Sequence, residues 1–250
     1  GVPVRRSNAA SPGRMPERHT AGTDPAVIAH VIGQTPRPDL ATDLQRRFPS
    51  TRFRIVGAMD GVQPEGIAPL AIGGHPLETL LRDGNRVILD AGFVAPLLQD
   101  AIEAHDADAS AHLILCAGPF PELAAPATPS GHRTPLIRPF HVGVAEFRKR
   151  GHHRLDLMVP FAAQAAPAME KWAEEGFTCR VHVLAERPLE LTLPAWVSGL
   201  VGEGDAEALV FDYVGFPSAT LGEVAVRIEI PVFDLGHLAL DELEKILSDP

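Results

Sequence analysis

Short apolar segments, several of them closed by glycine or proline, alternate along this chain with segments of helical pattern. We predict buried strands at residues 26–32, 51–58, 111–116, 155–159, 177–184, 208–211 and 230–233. Helices are predicted over residues 37–48, 91–106, 162–175, 193–203 and 238–247, and a β-hairpin over residues 77–81 and 86–89. Strands that alternate with helices are typical of βαβ units, which build parallel sheets.

The two halves of the chain are alike in kind. In each half one strand runs into a Gly/Pro loop, which begins at Cys116 in the first half and at Tyr213 in the second. We therefore predict an α/β fold of two similar parallel-sheet lobes, residues 25–137 and 138–228, with a cleft between them. Residues 229–250 form a closing strand and helix, for which packing back on the first lobe is one arrangement. Ligands of such sheets bind beyond the carboxyl ends of the strands.

Composition and charge exclude several classes of function. The chain has 250 residues, 45% hydrophobic, with a net charge of −10, so we expect no nucleic-acid partner and no binding to an anionic membrane surface. It contains no apolar run long enough for a transmembrane helix and no Cys/His cluster with zinc spacing, so no metal is expected. Its two cysteines are interpreted as reduced thiols of a cytoplasmic protein. Residues 1–24, rich in Pro and Arg, are expected to be a disordered tail, with a transit peptide as the alternative.

The first strand is followed by a segment with the composition of an anion site. Backbone amides at the helix start, with Gln34 and the Thr35 hydroxyl, are candidates to hold a carboxylate, which Arg37 would clamp. The alternative is a capped helix start with a solvated Arg37. Asp60, in the loop after the second strand, would contact a substrate amine or hydrogen-bond its own turn.

The thiol of Cys116 is a candidate for chemistry because it lies where a buried strand enters a tight loop. The alternative is a thiol that packs as a small hydrophobic side chain. A catalytic Cys116 would be expected to alkylate faster at neutral pH than a buried one. Cys179, in the middle of a predicted strand, is interpreted as a packing residue.

Six short motifs resemble the AroM family, of the aspartate/glutamate racemase-like superfamily. They are Ile32-Gly33-Gln34-Thr35-Pro36-Arg37-Pro38-Asp39, Gly57-Ala58-Met59-Asp60-Gly61, Leu81-Arg82-Asp83-Gly84, Leu115-Cys116-Ala117-Gly118-Pro119-Phe120-Pro121, Pro135-Leu136-Ile137 and Val159-Pro160. The resemblance covers residues 26–247. It implies the two-lobed racemase-like fold and two thiols, one from each lobe, on opposite faces of a carbon beside a carboxylate. Cys116 matches the first thiol, but the second position, Asp-Cys-x-Gly in many members, is Asp212-Tyr213-Val214-Gly215 here.

These observations together lead to a functional hypothesis. We expect a cofactor-independent enzyme of racemase or isomerase type, acting on a small carboxylate, with Cys116 and Tyr213 as catalytic groups. The loop residues Ala117, Gly118, Val214 and Gly215 would bind the substrate and stabilise the oxyanion. One alternative is a decarboxylase-type lyase that uses a single Cys, and another is a non-catalytic carboxylate-binding protein. A homo-oligomer is compatible with the sequence.

Overall fold

The computed structural model describes residues 25–68 and 74–249, which form two parallel sheets and a hairpin. The first sheet has the order β2-β1-β5-β6, with β1 Ala26–Val31, β2 Phe53–Gly57, β5 Ala109–Ile114 and β6 Leu136–Ile137. The second has the order β10-β9-β7-β8, with β7 Arg154–Val159, β8 Thr178–Val183, β9 Ala208–Phe211 and β10 Val232–Asp234. The antiparallel hairpin joins β3, Pro76–Leu80, to β4, Arg86–Asp90. The predicted parallel-sheet α/β class is confirmed.

Helices cover both faces of each sheet. They are α1 Pro38–Arg47, α2 Ala91–His105, α3 Pro139–Arg150, α4 Ala165–Glu174, α5 Leu193–Gly202, α6 Ser218–Ala225 and α7 Leu235–Ser248. In the first sheet, α2 packs on one face, and α1 and α7 pack on the other. In the second sheet, α3 and α4 cover one face, and α5 and α6 cover the other. All six residues of β1 are buried, which explains why the sequence shows a continuous apolar run there rather than an alternation.

Two helices and one short strand were not predicted from the sequence. The strand β6 has only two residues. The helix α3 contains Gly143, where a Cβ would lie 2.6 Å from Leu235 Cδ2, so close packing requires glycine at a position that otherwise weakens a helix. The helix α6 is short and contains Gly222. In each of these segments tertiary packing outweighs a weak local pattern.

The last helix returns to the first sheet. Ala239 and Leu243 of α7 are buried in one cluster with Val27 and Ala29 of β1, although β10 is an edge strand of the second sheet. The lobe boundaries at residues 137 and 228 stay a prediction. The expected tail, residues 1–24, lies outside the described residues. Among the helices of residues 25–68 and 74–249, none has the length and apolar character needed to cross a membrane.

A chain of buried polar groups lies in the centre of the first sheet. His30 of β1 and His112 of β5 are both fully buried, and His30 Nε2 lies 2.9 Å from His112 Nδ1. His112 Nε2 lies 3.1 Å from Asp106 Oδ1. The consistent assignment has His30 donating to His112, which donates to Asp106. Burial and the neighbouring His112 lower the pKa of His30 to about 3.

This lowered pKa predicts acid sensitivity. The unfolded chain takes up a proton on His30 from about pH 6.5 downward, whereas the folded protein does not. The stabilisation is therefore fully present above that pH and is lost as pH falls toward 3, by on the order of 2 kcal/mol at about pH 5. Urea unfolding should show a smaller loss between about pH 7.5 and 5 in His30→Leu than in the wild type. Replacement of the exposed His132 by Leu is the control. An equal decrease in the free energy of unfolding over this pH range in all three proteins would contradict the assignment.

Candidate active site

A cavity of about 460 Å³ lies between the two sheets, at the carboxyl ends of their strands. The loop after β5 and the loop after β9 both line it, and the hairpin of β3 and β4 forms a further wall. Seven of the predicted site residues line this cavity: Arg37, Cys116, Ala117, Gly118, Tyr213, Val214 and Gly215. Cys116 and Tyr213 thus share one cleft although 97 residues of chain separate them (213 − 116). Parallel strands explain this, because they bring all their carboxyl ends to the same edge.

The thiol of Cys116 is held close to the backbone of its own loop. The Gly118 N–H donates to Cys116 Sγ at 3.4 Å. A Cβ on Gly118 would lie 2.8 Å from the Phe120 ring, so this tight turn requires glycine. Burial raises the pKa of Cys116 to about 11, and Asp212 adds to this effect, while the Gly118 N–H and Lys171 oppose it. The thiol is therefore protonated at neutral pH.

Tyr213 is also protonated. Burial, together with the nearby Asp234, raises the pKa of its phenol above the ordinary value. The ring packs edge-on against Phe216, with centroids 5.5 Å apart, and against Phe211, with centroids 6.4 Å apart. The two side chains that the sequence predicts to be catalytic, Cys116 and Tyr213, thus line the cavity in their protonated, neutral forms.

A buried ion pair lines the same cavity. The Lys171 ammonium on α4 donates to Asp212 Oδ1 at 2.8 Å and to the Ala117 carbonyl oxygen at 2.9 Å. The second oxygen of Asp212 accepts from Trp172 Nε1 at 3.0 Å. The side chains of Lys171 and Asp212 are only 6% and 1% exposed.

Sequence reasoning missed Lys171 and left the role of Asp212 open. One signal was available, because Lys171 follows Ala168 by three residues and precedes Trp172 on the buried face of a predicted helix. A lysine at such a position needs a partner. His75 was missed as well, and it lines the cavity with a pKa that burial and Lys171 lower to about 4, so its imidazole is neutral.

Two arginines line the cavity as members of ion pairs. Arg37 donates to Asp39 through Nε at 3.1 Å and through Nη2 at 2.8 Å, and both residues line the cavity. Arg86 and Glu78 of the hairpin form a second pair. Arg37 therefore reaches the predicted site, but a carboxylate ligand would have to compete with Asp39 for it.

Gln34, Thr35 and Asp60 are not among the residues that line the cavity; they bind one another's loops. Asp60 accepts from the Thr35 amide at 2.7 Å, from the Thr35 hydroxyl at 2.9 Å and from the Gly57 amide at 2.9 Å. Gln34 donates to the Met59 carbonyl at 3.0 Å and accepts from the Arg82 amide at 3.0 Å. The donors and acceptors expected to hold a carboxylate thus join the first βα loop to its neighbours. The residue types of a turn and of an anion site are the same, which is why the sequence did not separate them.

Within residues 25–68 and 74–249, no group of three His, Cys, Asp or Glu side chains is arranged to hold a metal ion.

Several solved structures share this fold. Arylmalonate decarboxylase matches 89% of this chain and 93% of its own, with a TM-score of 0.57 and 13% identity. The maleate isomerase Iso from Pseudomonas putida S16 matches 89% and 93%, with a TM-score of 0.52 and 15% identity. A glutamate racemase isoform from Bacillus anthracis matches 89% and 81%, with a TM-score of 0.51 and 15% identity. At these identities the likeness shows the fold alone.

Sequence comparison gives the family. No curated protein sequence matches this chain. A family model described as AroM protein matches residues 27–240, far more than half of the 250 residues, and the predicted resemblance is thereby confirmed: the chain belongs to the AroM family.

Proposed function

We propose that this protein is a cofactor-independent enzyme that moves a proton at the carbon beside the carboxylate of a small acid, with Cys116 as the proton donor. The observation that carries the proposal is the Cys116 thiol, protonated in a cavity between two sheets and hydrogen-bonded to the Gly118 amide. A protonated thiol beside a bound enediolate would protonate its carbon and leave a thiolate. Ala117, Gly118, Val214 and Gly215 stay the candidates for substrate contacts, because they line the same cavity.

The proposal includes a means of stabilising the negative charge of the intermediate. A carbon beside a carboxylate is a very weak acid, so the site must stabilise the enediolate. The cavity offers the Arg37 guanidinium, which is shared with Asp39, and the loop amides as positive or donor groups. Arg37, at the end of the cavity formed by α1, is the candidate for the substrate carboxylate.

Racemisation or isomerisation requires a base as well as an acid. The Cys116 thiol is protonated before it reacts, so the neutral His75 imidazole is the candidate to remove the first proton. Tyr213, with a raised pKa, is suited to donate a proton and not to remove one. Since removal and return of a proton on one face give exchange with retention, the racemase or isomerase reading requires His75 and Cys116 to act on opposite faces of the carbon.

A decarboxylase-type lyase is the second candidate, and the protonated state of both acids favours it. Loss of carbon dioxide creates the enediolate without a base: the C–C bond electrons move into the carboxylate that remains, and the thiol proton then goes to the carbon. Water returns a proton to the thiolate. A cavity that holds two neutral acids, Cys116 and Tyr213, supplies what this sequence needs.

The raised pKa of Cys116 predicts slow alkylation. A thiol with a pKa near 11 has roughly 100-fold less thiolate at neutral pH than an unperturbed cysteine of pKa 9.0. Fast alkylation is therefore not expected even of a catalytic Cys116, contrary to the expectation from sequence. Mass spectrometry after iodoacetamide treatment in Cys179→Ser should show a rate that still rises above pH 9, the ordinary thiol value. A rate that levels off near pH 8 would contradict a proton-donor thiol.

Arg37 and Thr35 should respond differently to substitution. Arg37→Ala should weaken binding of a small carboxylate by roughly 10 to 150-fold, because a charge-assisted contact is lost. Thr35→Val should leave binding unchanged and lower stability by about 1 kcal/mol, because its hydroxyl bonds to Asp60. Asp39→Asn, which frees Arg37 from its carboxylate partner, should bind the carboxylate at least as tightly as the wild type. Calorimetry with a panel of small acids measures binding by all three variants. Unchanged binding in Arg37→Ala would exclude this residue from the site.

Cys116→Ser should lower activity roughly 10² to 10⁴-fold, because a hydroxyl is too weak an acid to replace the thiol. The assay is NMR in heavy water of amino acids, hydroxy acids and substituted malonates, and it detects both deuterium incorporation and loss of carbon dioxide. Cys179→Ser is the matched control and should keep its activity. Incorporation into malonate products alone would select the lyase reading. Equal activity in Cys116→Ser and in the wild type would exclude the thiol mechanism, whereas binding without turnover of any acid would favour the carboxylate-binding alternative.

A further inference from the structure

One buried ammonium touches the loops of both proton-carrying side chains. Lys171 Nζ bonds to the carbonyl oxygen of Ala117, the residue after Cys116, and to the carboxylate of Asp212, the residue before Tyr213. These loops belong to different sheets, and Lys171 stands on a helix that packs on the second sheet. The ammonium therefore joins the two sides of the cleft at its floor.

The bond to Ala117 also reaches the thiol through a single peptide group. The Ala117 carbonyl and the Gly118 N–H belong to the same planar peptide unit. Its oxygen accepts from Lys171 at 2.9 Å, and its N–H donates to Cys116 Sγ at 3.4 Å. A cation on the carbonyl oxygen polarises the unit and strengthens the N–H as a donor. Lys171 thus orients the group that contacts the reacting sulfur, without touching the sulfur itself.

Asp212 limits the effect of that positive charge. Both of its oxygens are engaged, one by Lys171 and the other by Trp172 Nε1 at 3.0 Å. The Phe140 ring covers the ammonium, with its centroid 4.7 Å from Nζ. A buried pair of this kind is nearly neutral as a unit. The electrostatic effects of the ammonium and the carboxylate on the Cys116 thiol therefore largely cancel.

We propose, on the basis of the function proposed above, that Lys171 is a positioning residue that fixes the Cys116 loop against the Tyr213 loop, and that Asp212 balances its charge so that the thiol stays neutral. The other groups facing the cavity from neighbouring elements are the neutral His75 and Tyr213 and the pairs Arg37–Asp39 and Arg86–Glu78. The Lys171–Asp212 pair is the one with a direct bond to the loop of Cys116.

The alkylation rate of Cys116 at a fixed pH near 8 tests this, without any substrate, in a Cys179→Ser background where it is the single thiol. Asp212→Asn leaves an unbalanced ammonium, so the rate should rise by about tenfold. Lys171→Gln removes the cation and leaves the Asp212 charge, so the rate should fall by about tenfold. The proposal therefore predicts that the alkylation rate changes in opposite directions in Asp212→Asn and Lys171→Gln.

A pair that only excludes water from the thiol, without an electrostatic effect on it, gives a different result. Its loss would admit water to the thiol, and both variants would then alkylate faster. The control is Asp156→Asn, which weakens the partly buried pair with Arg180 in the second sheet and should leave the rate unchanged. If Lys171→Gln does not fold by circular dichroism, Lys171→Met/Asp212→Leu replaces the pair by apolar side chains.

That double variant should alkylate no faster than the parent, and a clear acceleration would overturn the proposal, as would equal changes in the two single variants. Since no turnover is measured, absence of any enzymatic activity leaves this result interpretable, and the two proposals can fail separately.

Discussion

A charged pair is tolerated in a protein interior only where its remaining donors and acceptors are satisfied, and Lys171 and Asp212 meet that condition where the two sheets face each other. Desolvation of both ions is unfavourable, and removal of either alone would leave an uncompensated charge. The position of the α4 helix, the end of β9 and the loop after β5 are therefore mutually dependent. The cleft between the sheets has its shape partly because this one contact must be complete.

The same interaction governs the chemistry available in the cavity. With Lys171 neutralised by Asp212, nothing in the described part of the cleft offers Cys116 an unpaired cation, and burial keeps the thiol protonated. The two arginines of the cavity are likewise paired with carboxylates. A carboxylate ligand of Arg37, as proposed above, would compete with Asp39 for the guanidinium. The charged side chains of the cavity thus balance one another in pairs.

Site residues could be predicted from the sequence where the fold fixes their position, as at the ends of parallel strands. They could not be predicted where the same residue types suit both a turn and a ligand site. Cys116 and Tyr213 could be assigned to one cleft because both follow strands of parallel sheets. Gln34, Thr35 and Asp60 were expected in the site, yet Asp60 accepts from the Thr35 amide and hydroxyl, and Gln34 bonds to the backbone of neighbouring loops. Amide, hydroxyl and carboxylate groups suit a turn as well as a ligand. Lys171 reaches the cavity from the side of a helix, and no strand-end rule points to it. The one sequence signal for Lys171 was its position on the apolar face of a predicted helix.

Cys116 and Tyr213 line one cavity, and their difference in acidity bears on the stereochemistry of the proposed reaction. A symmetric racemase needs two groups that each exist as acid and as conjugate base near neutral pH, so that either face can be served. A phenol whose pKa burial raises above its ordinary value gives up its proton far less readily than a thiol. For the reaction proposed above, this means that Cys116 is suited both to give up and to regain a proton, whereas Tyr213 is suited only to donate one. Solved structures of a racemase, an isomerase and a decarboxylase share this fold, so the fold by itself does not select the reaction.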